Sequence, residues 1–257
     1  AVLAPLVVYA VVGTSRHLGV GPEPGTAILA ATGVGAIAAG DPTRYVALMA
    51  GLALVVGTIA VLGAVARLGF IASVLSKPVL VGYITGVGLT LLSSQIAAFT
   101  GVSIEADRFF PRVLELLSEL DDVDPATLAV GASSLALVLV LRRRLPRVPG
   151  ALVAVALATL VVWLLPGPDP VVPVVGTIPE GLPTPGLPAV TLDDVVALLA
   201  VAVGIVLVGF SDNVLTARSI AARHGYRIDP NRELLALGLP NLSAGVSQGF
   251  PASSRAS

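Results

Sequence analysis

Gly21-Pro22-Glu23-Pro24-Gly25-Thr26 and Gly249-Phe250-Pro251-Ala252-Ser253-Ser254 interrupt two apolar stretches with proline, glycine and small hydroxyl residues. Between them in the chain lies Asp212, the one charge in residues 195–217. Broken backbone at membrane depth survives only where it is buried in protein or lines a wet cavity. Paired breaks of this kind point to the binding site of a transporter. They predict an all-α polytopic membrane protein in which two half-helices face one another.

Composition supports that reading. The chain is 55% hydrophobic and 12% charged, against about 25% charged for an average soluble domain. A formal net charge of -1 offers no basic face for nucleic acid. There are no cysteines, so disulfides, thiolate metal sites and a cysteine nucleophile are excluded. Two histidines, His17 and His224, are too few for a His-rich metal centre. The chain opens inside an apolar run at Ala1 and stops at Ser257, so it is expected to be a piece of a longer protein. It carries no recognisable basic leader.

Charges punctuate the sequence at membrane spacing. There are 22 uncharged residues between Arg44 and Arg67, 27 between Lys77 and Glu105, 17 between Asp124 and Arg142, and 21 between Arg147 and Asp169. Residues 234–254 carry no charge, and shorter apolar runs cover 1–15 and 24–40. A span needs about 20 apolar residues. Eight spans or partial spans follow, with a ninth beginning at Pro251. Alternating them puts eleven Lys and Arg on one side, three on the other, and Arg255 at the second break. The eleven-residue side is expected to be cytoplasmic. On the outer side, Val113, Leu116, Leu117 and Leu120 predict one apolar face of a short surface helix. Residues 166–192 predict an irregular extracytoplasmic loop rich in proline and glycine.

Three places could carry chemistry. Glu23 and Pro24 precede a helix start whose free amides, from Gly25, Thr26 and Ala27, would attract an anion. Equally, Glu23 could be an ordinary acid complementing a helix end. At the second break Pro251 would open a half-helix with Ala252, Ser253, Ser254 and Ser257 near its amides, or the segment is a turn with a serine cap. Asp212 inside a span is costly and normally faces a cavity. Thr216 shares its helix face. The pair could ligate Na+ or Asp212 could carry H+, or Asp212 pairs with an interfacial arginine such as Arg218. Gly82 and Gly86 suggest close helix packing. Gln95 suggests a bond across helices. Asn241-Leu242-Ser243 matches a glycosylation sequon but lies inside a span. No nucleophile–base or metal constellation appears, so an enzyme is not expected.

The order of several motifs resembles the SulP anion permeases, the sulfate permease family. The matching stretches are Gly13-Thr14-Ser15-Arg16-His17-Leu18-Gly19-Val20-Gly21-Pro22-Glu23, Leu68-Gly69-Phe70 with Leu75-Ser76-Lys77-Pro78-Val79-Leu80-Val81-Gly82-Tyr83, Gly225-Tyr226-Arg227-Ile228-Asp229-Pro230-Asn231-Arg232-Glu233-Leu234, and Gly249-Phe250-Pro251. The resemblance implies a 7+7 inverted repeat with core and gate domains, of which this chain holds spans two to nine and the start of ten. Residues 1–72 and 193–257 would then belong to the core and 77–165 to the gate. It implies a secondary transporter of a small anion such as sulfate, bicarbonate or a dicarboxylate. A homodimer in a bacterial inner membrane is implied, with no bound cofactor beyond a coupling Na+ or H+; the family's usual cytoplasmic STAS domain is not expected within these 257 residues. Aligned from Pro251, the family's span-ten serine falls on Ser257, and its arginine would follow the last residue. Asp212 stands where the family commonly has Glu. Rival readings are a nucleobase permease of the same architecture, which would need a substrate-facing carboxylate pair, and an anion channel.

Overall fold

The structure, a computed structural model, describes residues 3–15, 18–73, 77–104, 106, 109–164, 181 and 185–256. Among these residues the chain folds into helices α1 (Leu3–Val12), α2 (Pro24–Ala38), α3 (Pro42–Val65), α4 (Lys77–Thr100), α5 (Phe109–Ser118), α6 (Pro125–Arg144), α7 (Gly150–Leu164), α8 (Leu192–His224) and α9 (Pro230–Val246). Two short strands, β1 (Leu18–Gly21) and β2 (Ser253–Ala256), pair antiparallel. By length and composition α3, α6 and α8 can cross a membrane, while α1, α2 and α7 are shorter apolar helices. The 15 residues of α2 rise only about 22 Å at 1.5 Å each, short of the roughly 30 Å hydrocarbon core.

One device starts four helices. Glu23-Pro24, Asp41-Pro42, Asp124-Pro125 and Asp229-Pro230 each place an acid at the cap and proline at the first helical position. Proline has no amide to leave unpaired there, and the acid accepts from the next free amides. α8 starts instead with a reciprocal capping box between Thr191 and Asp194, and Asp194 also pairs with Arg44 of α3 at 2.9 Å.

The chain divides into two compact units, Ala1–Val87 with Gly181–Ser257, and Gly88–Glu180. The division falls inside α4, which runs unbroken from Lys77 to Thr100.

In the first unit α3 and α9 touch backbone to backbone. A Cβ on Gly57 would lie 2.9 Å from the Gly238 carbonyl oxygen, and one on Gly238 would lie 3.0 Å from the Gly57 carbonyl oxygen. Only hydrogen fits there, which is how small residues let helices approach closely. Around this contact Leu48, Leu52, Val56, Leu198, Ile205, Phe210, Val214, Leu234 and Leu237 form the core. A second buried cluster joins Tyr9, Leu18, Val20, Ala217, Ala236 and Ala252, tying α1, α8 and α9 to the two strands.

In the second unit the Asp124 amide donates to the Thr100 carbonyl at 2.9 Å, joining the end of α4 to the start of α6. Hydrogen bonds from the Thr127 hydroxyl and amide, and from the Ala126 amide, hold the Asp124 carboxyl below its usual value. Gln95 lines a cavity of about 580 Å³ with Phe99, Thr127 and Gly131.

Some expectations change. The apolar stripe expected on α5 is unevenly buried: Leu116 is buried and Val113 half-buried, while Leu117 and Leu120 are exposed with Phe110 and Leu114. The face remains single by helical geometry, with one edge buried and the rest exposed. A Cβ on Gly82 or Gly86 would meet nothing within 4 Å, so no helix packs closely on them among the described residues. Most of the 166–192 loop lies outside the described residues.

Candidate functional site

The two breaks meet through the strands that border them. β1 runs directly into Pro22-Glu23, and β2 follows Pro251-Ala252. Their register pairs Gly21 with Ser253 and Val20 with Ser254. The half-helix expected after Pro251 is thus replaced, over Ser253–Ala256, by extended chain. Facing strands satisfy each other's backbone groups, which buried chain otherwise lacks.

At the first break Glu23 closes its own helix. Its carboxylate accepts from the Gly25 amide at 2.8 Å, the Thr26 amide at 2.6 Å and the Thr26 hydroxyl at 2.8 Å. The Ala27 amide donates to the Glu23 backbone carbonyl at 2.9 Å. The first-turn amides expected to be open to a ligand are therefore engaged. The reason is local: extended backbone at Glu23 and the fixed φ of Pro24 fold a three-carbon side chain back over the turn.

At the second break the partner is distant. The Ala252 amide donates to Asn241 Oδ1 at 2.9 Å, and Asn241 Nδ2 donates to the carbonyls of Ala252 and Leu237, both at 2.8 Å. Asn241 is fully buried in α9. As a bare sequon match it gave little away, and a polar residue in an uncharged 21-residue run was the only signal.

α8 runs past both breaks. A Cβ on Gly209 would lie 3.2 Å from Ser253 Oγ and 3.9 Å from Thr26 Oγ1. The missing side chain lets hydroxyls from both breaks approach one point on α8. Asp212 follows three residues later and is half-buried, as is Thr216 one turn on. Among the described residues the ion pair found is Arg44–Asp194, so the alternative pairing of Asp212 with Arg218 does not appear. Ser254 contributes backbone to β2, and Ser257 lies outside the described residues. No group of three or more metal-ligating side chains occurs among the described residues.

Another acid proves structural. Glu233, in the first turn of α9, is fully buried. It accepts from the Tyr9 hydroxyl at 3.1 Å, the Thr14 amide at 2.9 Å, the Ser15 amide at 3.1 Å and the Thr14 hydroxyl. This carboxylate anchors the segment that leads into β1 and so sets where the first break lies.

Comparison with known proteins bears on the family and the fold. A "Probable sulfate transporter" of Mycobacterium tuberculosis is 46% identical over 255 residues, covering 99% of this chain and 46% of the relative. Human solute carrier family 26 member 6 is 31% identical over 274 residues, covering 97% of this chain and 36% of the relative. The chain thus spans less than half the length of these relatives. Among solved structures, the transmembrane domain of a cyanobacterium bicarbonate transporter, BicA, superposes with a TM-score of 0.80 at 21% identity, over 98% of this chain and 66% of that one. Murine solute carrier 26 family member A9, an anion transporter in the inward-facing state, gives 0.85 at 22%, over 98% and 46%. These structures share the fold, a 7+7 inverted repeat of membrane helices. The model of the sulfate permease family matches residues 1–257, and the chain belongs to that family of integral, multi-pass membrane transporters.

Proposed function

We propose that the protein containing this chain is a secondary active transporter of a small anion, such as sulfate, bicarbonate or a dicarboxylate, in a bacterial inner membrane. The observation that carries the reading is the convergence of Thr26 and Ser253 on Gly209, with Glu23 at the same break as Thr26 and Asp212 three residues beyond Gly209 on α8. The Ser253 hydroxyl donates to the anion, and Thr26, whose own hydroxyl is donated to Glu23, borders the same pocket. The segments Glu23–Ala27 and Ala252–Ser254 form its walls, with Ser257 following.

Two carboxylates next to this pocket repel an anion. Coulomb repulsion between unit charges falls only slowly with distance where the effective dielectric is low. A cation that neutralises the pair removes that repulsion. Na+ held by Asp212 and Thr216, or H+ taken up by Asp212, would therefore make anion binding conditional on cation binding. This is the physical basis of symport here. Rocking of a core (residues 1–72 and 193–257) against a gate (77–165), in a homodimer, would alternate access.

The test is uptake of radiolabelled sulfate and bicarbonate by the complete protein, with and without Na+ and across pH. Asp212→Asn should reduce uptake at least tenfold and remove its cation dependence. Equal, cation-independent flux through wild type and Asp212→Asn would sink the proposal. Current that neither saturates nor follows the cation gradient would favour a channel.

A further inference from the structure

Two buried side chains of α8 carry polar atoms without a hydrogen-bond partner: the Ser211 hydroxyl and both the Oδ1 and Nδ2 of Asn213. Both residues are 0% exposed. Buried polar groups are paired almost without exception, so an orphan of this kind calls for water or a ligand. Ser211 leaves α8 on a different face and can turn its hydroxyl onto a carbonyl of its own helix. A carboxamide cannot meet both of its needs that way.

The fold shows where the Asn213 side chain goes. Gly209, Asn213 and Ala217 follow one another at four-residue spacing and share one face of α8. One turn before Asn213, Gly209 abuts Ser253 and Thr26. One turn after it, Ala217 packs with Leu18, Val20 and Ala252. The carboxamide lies between these two contacts and heads for the junction of the breaks. The backbone there is already engaged. Asn241 binds the amide and carbonyl of Ala252, and Val20 and Gly21 are paired with β2.

Asn241 provides an internal standard. It is equally buried, in a neighbouring helix, and makes three hydrogen bonds. Asn213 has the same chemistry and none of the partners.

We propose that Asn213 is a specificity-determining residue of the anion site, selecting an oxyanion that carries its own O–H. Nδ2 donates to an oxygen of the anion, and Oδ1 accepts from the anion's own O–H. Bicarbonate, with acceptor oxygens and one hydroxyl, uses both atoms. A halide, or an oxyanion without a hydroxyl such as sulfate, accepts only, and leaves Oδ1 without a donor. The proposal rests on the anion-transport reading and adds the class of anion.

The experiment uses the complete protein, wild type and with Asn213→Leu or Asn213→Asp. Uptake of labelled bicarbonate is read with chloride as competitor, and thermal stabilisation of the purified protein by bicarbonate and by chloride is read separately. Leucine is close to asparagine in size and removes both polar atoms. Asn213→Leu should raise the KM for bicarbonate at least tenfold with little change in maximal rate. Its melting temperature without anion should equal or exceed that of wild type, and chloride competition should be unchanged. Asn213→Asp keeps the shape, exchanges a donor for a negative charge, and should weaken bicarbonate further. Wild-type KM and an unaltered bicarbonate-to-chloride preference in both variants would overturn the proposal. Should wild type stabilise with bicarbonate yet transport neither bicarbonate nor sulfate, the transport reading falls, and the variants' thermal shifts still decide the role of Asn213. Should bicarbonate not bind wild type at all, the role of Asn213 falls, and sulfate uptake decides the transport reading.

Discussion

The first break is stitched by a residue two and three positions from the amides it serves, the second by a residue eleven positions away on another helix. Glu23 reaches Gly25 and Thr26 along its own chain, whereas Asn241 reaches Ala252 only because α9 packs beside the second break. Both segments face the same demand, that buried backbone groups find partners. A local stitch forms whenever the turn forms. A distant one exists only in the assembled fold, so its loss should weaken the tertiary structure itself.

The largest effect should come from cutting the distant stitch. Asn241→Leu leaves the Ala252 amide and carbonyl buried without partners, at about 1–3 kcal/mol each. The complete protein should lose about 2–5 kcal/mol of stability, read by thermal melting in detergent. A melting temperature within a degree of wild type would show that β2 is held by other means.

Cutting the local stitch should cost less. Glu23→Ala removes an N-cap, worth about 0.5–2 kcal/mol. Glu23→Gln keeps an acceptor and the side-chain length but drops the charge. It should retain most of the stability while reducing the dependence of anion uptake on the coupling cation. Uptake with unchanged cation dependence would separate Glu23 from the carboxylate pair assigned to it.

The smallest effect belongs to a third acid-proline start, which serves as a control. Asp124 caps α6 as Glu23 caps α2, but it is half-buried and belongs to the second unit. Its folded pKa is depressed by hydrogen bonds from Thr127 and Ala126. The stabilisation is therefore present above the ordinary Asp value of about 3.9 and fades as pH falls through the lower folded value. Asp124→Ala should melt slightly below wild type at neutral pH, and the gap should close in acid. A gap independent of pH would mean that the carboxylate charge is not what holds the cap.

Much of the membrane plan was readable from charge spacing. Each apolar run between charges became a helix, from α1 at Leu3–Val12 to α9 at Pro230–Val246, because burying charge in hydrocarbon is costly enough to punctuate the sequence. Glu23 and Pro24 announced a helix start because capping is a short-range interaction. Asp212 and Thr216 were legible as one face because helical geometry fixes the direction of residues four apart.

What lay hidden depends on partners far away in the chain. Nothing within reach of Pro251 says that the next residues will extend and pair with Leu18–Gly21 instead of coiling, since a strand needs its neighbour. Glu233 looks like one more charge in a helix's first turn until Tyr9, Thr14 and Ser15 close over it. Asn213 and Asn241 are the same residue in similar apolar surroundings. The sequence by itself determined the spans, the two breaks and the acid between them, through local backbone chemistry and the cost of charge in lipid. Only the tertiary structure decided which buried polar groups are satisfied and which are left without a partner, because hydrogen-bond partners tens to hundreds of residues apart are chosen by packing.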